Sequence, residues 1–143
     1  MTPPVTPSVD EQGAQTTRVR WLGLGVGFIL IIIGVRFFWV PGAASFTFGV
    51  AHPPVGDALH HVIGVRDIWL GALAVAFVAF REWRALAFWM LGAGVTCLTD
   101  AWIVSQSTGN SYAIAFHLVS GVLCLLLFRG AWIIGKNFTQ SSQ

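Results

Sequence analysis

The chain has 143 residues, 55% of them hydrophobic, with 8 Lys+Arg against 6 Asp+Glu and a net charge of +2. A soluble domain is normally about a quarter charged, so water is a poor solvent for most of this surface. Basic residues are few, which argues against a nucleic-acid partner.

In chain order, the first segment is "MTPPVTPSVDEQGAQTT", residues 1–17, rich in Pro, Thr and Gln and without apolar periodicity. It reads as a disordered tail. Four apolar runs follow, at about 21–39, 62–80, 85–104 and 112–134. Each is close to the roughly 20 residues that cross a bilayer core as a helix rising 1.5 Å per residue. The predicted fold is therefore all-α: a polytopic membrane protein whose domain, residues 18–136, is an antiparallel bundle of four transmembrane helices. A secretory signal ending at "GAAS" (Gly42 to Ser45) is set aside. The first run is long for such a signal, Trp21 and Trp39 bracket it like interfacial anchors, and Arg36 lies inside it.

Basic residues set the orientation. Arg18, Arg20, Arg81, Arg84, Arg129 and Lys136 all fall on one side of a four-span layout. The positive-inside rule then places both termini, including the tail 137–143, in the cytoplasm of a cell (inner) membrane. The connections Val40 to His61 and Ser105 to Ser111 face outward. The longer of these is apolar, is interrupted by Pro41, Pro53 and Pro54, and is expected to lie along the outer interface.

The phrase "IGVRFFW" (Ile33 to Trp39) recurs as "IGVRDIW" (Ile63 to Trp69). The first copy closes helix 1 on its way out and the second opens helix 2 on its way back. Both arginines thus arrive near the outer leaflet, about one helical turn, roughly 5–6 Å, inside the apolar boundary. Asp67 follows Arg66, Asp100 lies near the end of the third run and His117 near the start of the fourth. Each of the four spans delivers an ionisable group to one layer.

Arg66, Asp67, Asp100 and His117 are the candidate binding residues, with Arg36 as a weaker fifth. Charges inside an apolar span are costly, by at least about 2.5 kcal/mol at the centre, and generally turn inward and pair. Arg–carboxylate pairing is the natural solution, and Asp100 with Arg66 or Arg36 would leave Asp67 or His117 free to bind. The same residues would also serve as a fully satisfied network that only holds helix register. Arg36, close to Trp39, could equally reach lipid headgroups.

Asp57, His60 and His61 have the i, i+3, i+4 spacing of a helical metal site. Without a fourth ligand the better reading is Asp57 as N-cap of helix 2, with both histidines on its wet first turn, and no metal site is assigned. A haem between His60 or His61 and His117 lacks an attachment motif. No cofactor is identified. The two cysteines, Cys97 and Cys124, show no zinc or disulfide spacing and read as small core hydrophobes. The 7 tryptophans fall mostly near span ends, the pattern of an interfacial belt rather than a ligand cage. "GLGVG" (Gly23 to Gly27) lies in a membrane helix with no preceding strand, so it is no nucleotide loop.

Gly23, Gly27 and Gly34 in helix 1, and Gly64 and Gly71 in helix 2, form small-residue faces for close helix approach. Such faces could also join copies into a homo-oligomer.

The segments "GVRFFWVPGAASFTFGV", "GVRDIWLGALA", "REWRALAFWML" and "LTDAWIV", with the lone His117, resemble a family of small four-helix integral membrane proteins of bacteria and fungi, catalogued as a domain of unknown function. The resemblance covers about residues 24–127 and implies a four-span integral membrane protein. It implies no activity, substrate or cofactor.

Three functions are expected, in this order. The first is non-catalytic binding of a small ligand, lipid or partner helix at the polar cluster near the outer leaflet. The second is a homo-oligomeric transporter or channel subunit, against which the lack of mid-span charge counts. The last is a membrane-embedded enzyme with His117 as general base, an aspartate to orient it and an arginine on an oxyanion.

Overall fold

The computed structural model describes residues 9–49 and 57–140. Its helices are α1 (Val9–Trp39), α2 (Pro41–Phe48), α3 (Asp57–Ala79), α4 (Trp83–Ser107) and α5 (Ser111–Gln140). α1, α3, α4 and α5 are the four long apolar helices, each with the length and hydropathy to cross a membrane. The protein is an all-helical multi-pass membrane protein.

Every long helix outruns its apolar run. Hydropathy marks the part of a helix that lipid will dissolve, whereas backbone hydrogen bonding continues for as long as the residues tolerate it. α1 starts at Val9, so residues 9–17 of the expected disordered tail are helical. Asp10 and Glu11 lie in its first turn, where carboxylates complement the positive end of the helix dipole. The rest of the tail, residues 1–8, lies outside the described residues, as do residues 141–143.

α3 starts at Asp57 instead of near residue 62. Arg66 therefore lies nine residues into the helix, about 13 Å from its start at 1.5 Å per residue. The apolar run itself still begins near Val62, about one turn before Arg66.

α2 is the main departure. The outward connection contains a two-turn helix that opens with Pro41 at its first position and closes on Gly49. Proline supplies a preset φ and has no N–H to lose at that position. Gly49 adopts φ 98°, and its N–H is donated to the carbonyls of Ser45 and Phe46. His52, Pro53 and Pro54 lie outside the described residues.

The bundle is built from two helical hairpins. α1 packs extensively on α3 and α4 on α5, while lighter α1–α5 and α3–α4 contacts close the ring. Glycine explains the first pairing. A Cβ on Gly34 would stand 2.5 Å from the Gly64 carbonyl, and one on Gly64 would stand 2.8 Å from the Gly34 carbonyl. Gly27 and Gly71 repeat this crossing two turns further down. α4 and α5 meet at Gly94 and Gly121, less tightly, with each added Cβ 3.5 Å from the other's carbonyl.

The dry core occupies one half of the bundle. Val19, Val78, Leu86, Met90, Leu127 and Ile134 are among its buried members, all toward the end that carries the basic loops. Cys124 belongs to the same cluster, and Cys97 is half-buried. Large apolar side chains cover the outside, among them Trp21, Ile32, Trp69, Trp102 and Val119. A surface of this kind is far beyond the apolar patches that water tolerates and is matched to lipid.

Candidate functional site

The other half of the bundle buries polar groups among apolar ones such as Phe37, Ala101 and Val104. Asp67 and His117 are buried there, together with His60 and Ser45. Asp67 is held by its neighbour: the Arg66 Nε donates to Asp67 Oδ1 at 3.0 Å. Adjacent helical residues diverge by about 100°, so a short side chain could not make this contact. The long arginine folds back, leaving its body 47% exposed while the carboxylate is 8% exposed.

Asp100 of α4 is half-buried and, among the described residues, makes no hydrogen bond or ion pair. It is nevertheless within electrostatic reach of His117, Arg66 and Asp67. Three helices thus bring four predicted residues into one group. The expected Asp100–arginine pair is absent, because Arg66 is satisfied by its own neighbour.

Arg36 does not join the group. It is exposed, and its Nη2 donates at 3.3 Å to Thr47 Oγ1 on α2.

α2 roofs this layer and ties both hairpins to itself. On the α3 side, Ser45 Oγ and His60 Nε2 are 2.8 Å apart. On the α5 side, His117 Nε2 donates to the Phe48 carbonyl at 3.3 Å, and the Phe48 ring lies edge-on to the imidazole at 4.8 Å. On the α4 side, Thr108 Oγ1 donates to the Gly49 carbonyl at 2.6 Å. Gly49 itself is buried against Val104 and Ala113. Among the described residues His60 Nδ1 is buried without a partner. An orphaned N–H is rarer than an orphaned lone pair, which assigns the proton to Nε2 and makes Ser45 Oγ the acceptor.

This corrects the expectation that both histidines lie on a wet first turn. His60 is 3% exposed, against Phe37 and α2, whereas His61 is exposed and stacks on Phe38 at 4.9 Å. Among the described residues no three His, Cys, Asp or Glu side chains come together as a metal site. The side chain of Asp57, the proposed third ligand, is outside them.

A family comparison decides what kind of chain this is. The sequence model of a family described as "Domain of unknown function (DUF4267)" matches residues 27–132. The chain belongs to the DUF4267 family. No curated protein and no solved structure matches the chain. The DUF4267 match takes in the whole polar layer and its roof, from Arg36 through Ser45, His60, Asp67 and Asp100 to His117. It leaves out the first part of α1 and the end of α5.

Ser45, Thr108 and the buried role of His60 were not anticipated. The signal lay in "PGAASFTFG", where proline at the first helical position and glycine just past the end mark a short helix. Ser45→Ala in this DUF4267 protein will leave His60 with both ring nitrogens unpartnered. The expected cost is about 1–3 kcal/mol of α2 docking, read as faster amide exchange across Pro41–Phe48. Unchanged exchange would show that the contact does not hold the roof.

Proposed function

We propose that this protein binds a small ligand or lipid headgroup at the layer formed by Arg66, Asp67, Asp100 and His117, with a partner helix as a further occupant of the same groups. The observation that carries the reading is the Asp100 carboxylate. It is half-buried within electrostatic reach of His117, Arg66 and Asp67 yet, among the described residues, accepts no hydrogen bond, whereas Asp67 is paired. A carboxylate that accepts nothing inside a bundle is expensive and is relieved by a group that donates to it. An ammonium or hydroxyl supplies such a donor.

The positive-inside pattern would put this layer toward the outer leaflet, with both termini cytoplasmic in a cell inner membrane. A homo-oligomer would have to use small positions other than the α1–α3 glycines, which pack on each other within one chain. Gly25 and Gly92, where an added Cβ meets nothing within 4 Å, are such positions.

Native mass spectrometry of the chain released from its membrane tests the binding reading. The wild type is expected to retain a donor-bearing small molecule or lipid that Asp100→Asn, an isosteric change, loses. If Asp100→Asn and His117→Ala both retain the wild-type complement of bound molecules, the layer is architecture and not a site.

A further inference from the structure

The opposite end of the bundle holds a separate feature. A cavity of about 280 Å³ lies where α1, the α3–α4 turn and the end of α5 meet, walled by Thr16, Thr17, Arg20, Arg81, Trp83 and Phe138 among others. It falls on the seam between the two hairpins, whose mutual contacts are the lighter ones.

Among the described residues its charge is one-sided: Arg20 and Arg81 both line it, and no carboxylate does. Neither arginine makes an ion pair among the described residues, where Arg66–Asp67 is the pair that forms. Glu82, between Arg81 and Trp83 in the chain, is exposed and is not part of the wall. The hydroxyls of Thr16 and Thr17 donate to the carbonyls of Gln12 and Gly13.

The backbone at Arg81 closes α3, with the Arg81 N–H donated to the Val78 carbonyl and the Glu82 N–H to the Phe77 carbonyl. Arg81 has φ 60°, the left-handed region that glycine enters freely and side chains resist. A turn that needs this conformation is best served by glycine, so an arginine there is held against local preference.

We propose that this cavity binds a phosphate group without a cation of its own, carried by an anionic lipid headgroup or by soluble phosphate. Two arginines lining one cavity can offer guanidiniums to phosphate oxygens, which take parallel N–H donors better than a point charge would. Further cations gather at this end: the Arg84 guanidinium and Lys136 ammonium lie 5.6 and 6.0 Å from the Trp132 ring centroid. This inference does not depend on the outer layer's function.

The test uses the full chain in detergent, titrated with phosphatidylglycerol, with phosphatidylcholine, and with inorganic phosphate, bound fractions being read by native mass spectrometry. Phosphatidylglycerol is expected to bind in preference to phosphatidylcholine. The Arg20→Gln/Arg81→Gln double variant should lower its affinity by roughly tenfold or more, as expected for lost charge-assisted hydrogen bonds. Arg129→Gln, at the same end but not in the wall, should change nothing. Arg81→Gly separates binding from folding: it should weaken binding while melting no lower than wild type. Binding of inorganic phosphate to lipid-free protein assigns the site to soluble phosphate; binding of phosphatidylglycerol alone assigns it to the headgroup. Equal affinity in wild type and the double variant, or equal losses in Arg129→Gln, overturns the proposal.

Discussion

Gly71→Leu will split α1 from α3. A Cβ at this position would run into the Gly27 carbonyl and would stand 2.8 Å from Ile31 Cγ1 and 3.0 Å from Ile31 N. Two of those three obstacles are backbone atoms, which cannot rotate aside as the end of a side chain can. The helices must therefore move apart, and the motion propagates to Gly34 and Gly64, whose crossing is equally close. Ordinary overpacking costs about 1–3 kcal/mol, and a backbone obstruction belongs at the upper end of that range or above it. Lipid offers no compensating hydrophobic drive, since separated apolar faces are solvated by acyl chains. Thermal unfolding in micelles provides the measurement. Gly25→Leu, in the same helix with open space around it, is the matched control. Equal melting of the two variants would mean that the glycine crossing contributes nothing.

Gly49→Ala is expected to lift the roof from the polar layer. Two independent penalties act at this residue. Its φ of 98° is a conformation that L side chains rarely adopt. The added methyl would also stand 2.7 Å from Ala113 Cβ and 2.7 Å from Val104 Cγ1, which joins α2 to both helices of the second hairpin. Together the strain and the clash amount to about 2–4 kcal/mol. If that loss falls on α2 docking, amide exchange over Pro41–Phe48 should accelerate by at least about thirtyfold. Gly42→Ala, where nothing lies within 4 Å, should leave exchange as it is. A Gly49→Ala protein with wild-type protection of α2 would sink the idea that this turn clamps the roof.

These two variants probe different kinds of information. The α1–α3 crossing was legible: glycines spaced by four and seven in one run, and by seven in the next, announce a face where backbones can touch. Which partner they would touch was not legible, since the same face could have met a second copy of the chain. The structure pairs it within one chain. The Arg66–Asp67 contact was hidden for a different reason. Periodicity sends neighbouring residues to different faces, and only the bending of a long side chain brings them together. His60 and His61 make the same point in reverse. They are adjacent in "LHHV", yet one is buried against Ser45 and the other is exposed beside Phe38.

Taken alone, the amino-acid order determined that four apolar helices cross a membrane and that most basic residues fall at one end. It also determined that Asp67, Asp100 and His117 come from three different helices. Each of these is a property of hydropathy and helical rise, which depend on local order along one chain segment. Only the tertiary structure decided that α2 folds over the layer, that Asp100 is left without a donor among the described residues and that Arg20 and Arg81 share a cavity. Those outcomes depend on how rods are rotated and displaced against one another, and rotation about a helix axis leaves the hydropathy of the run unchanged.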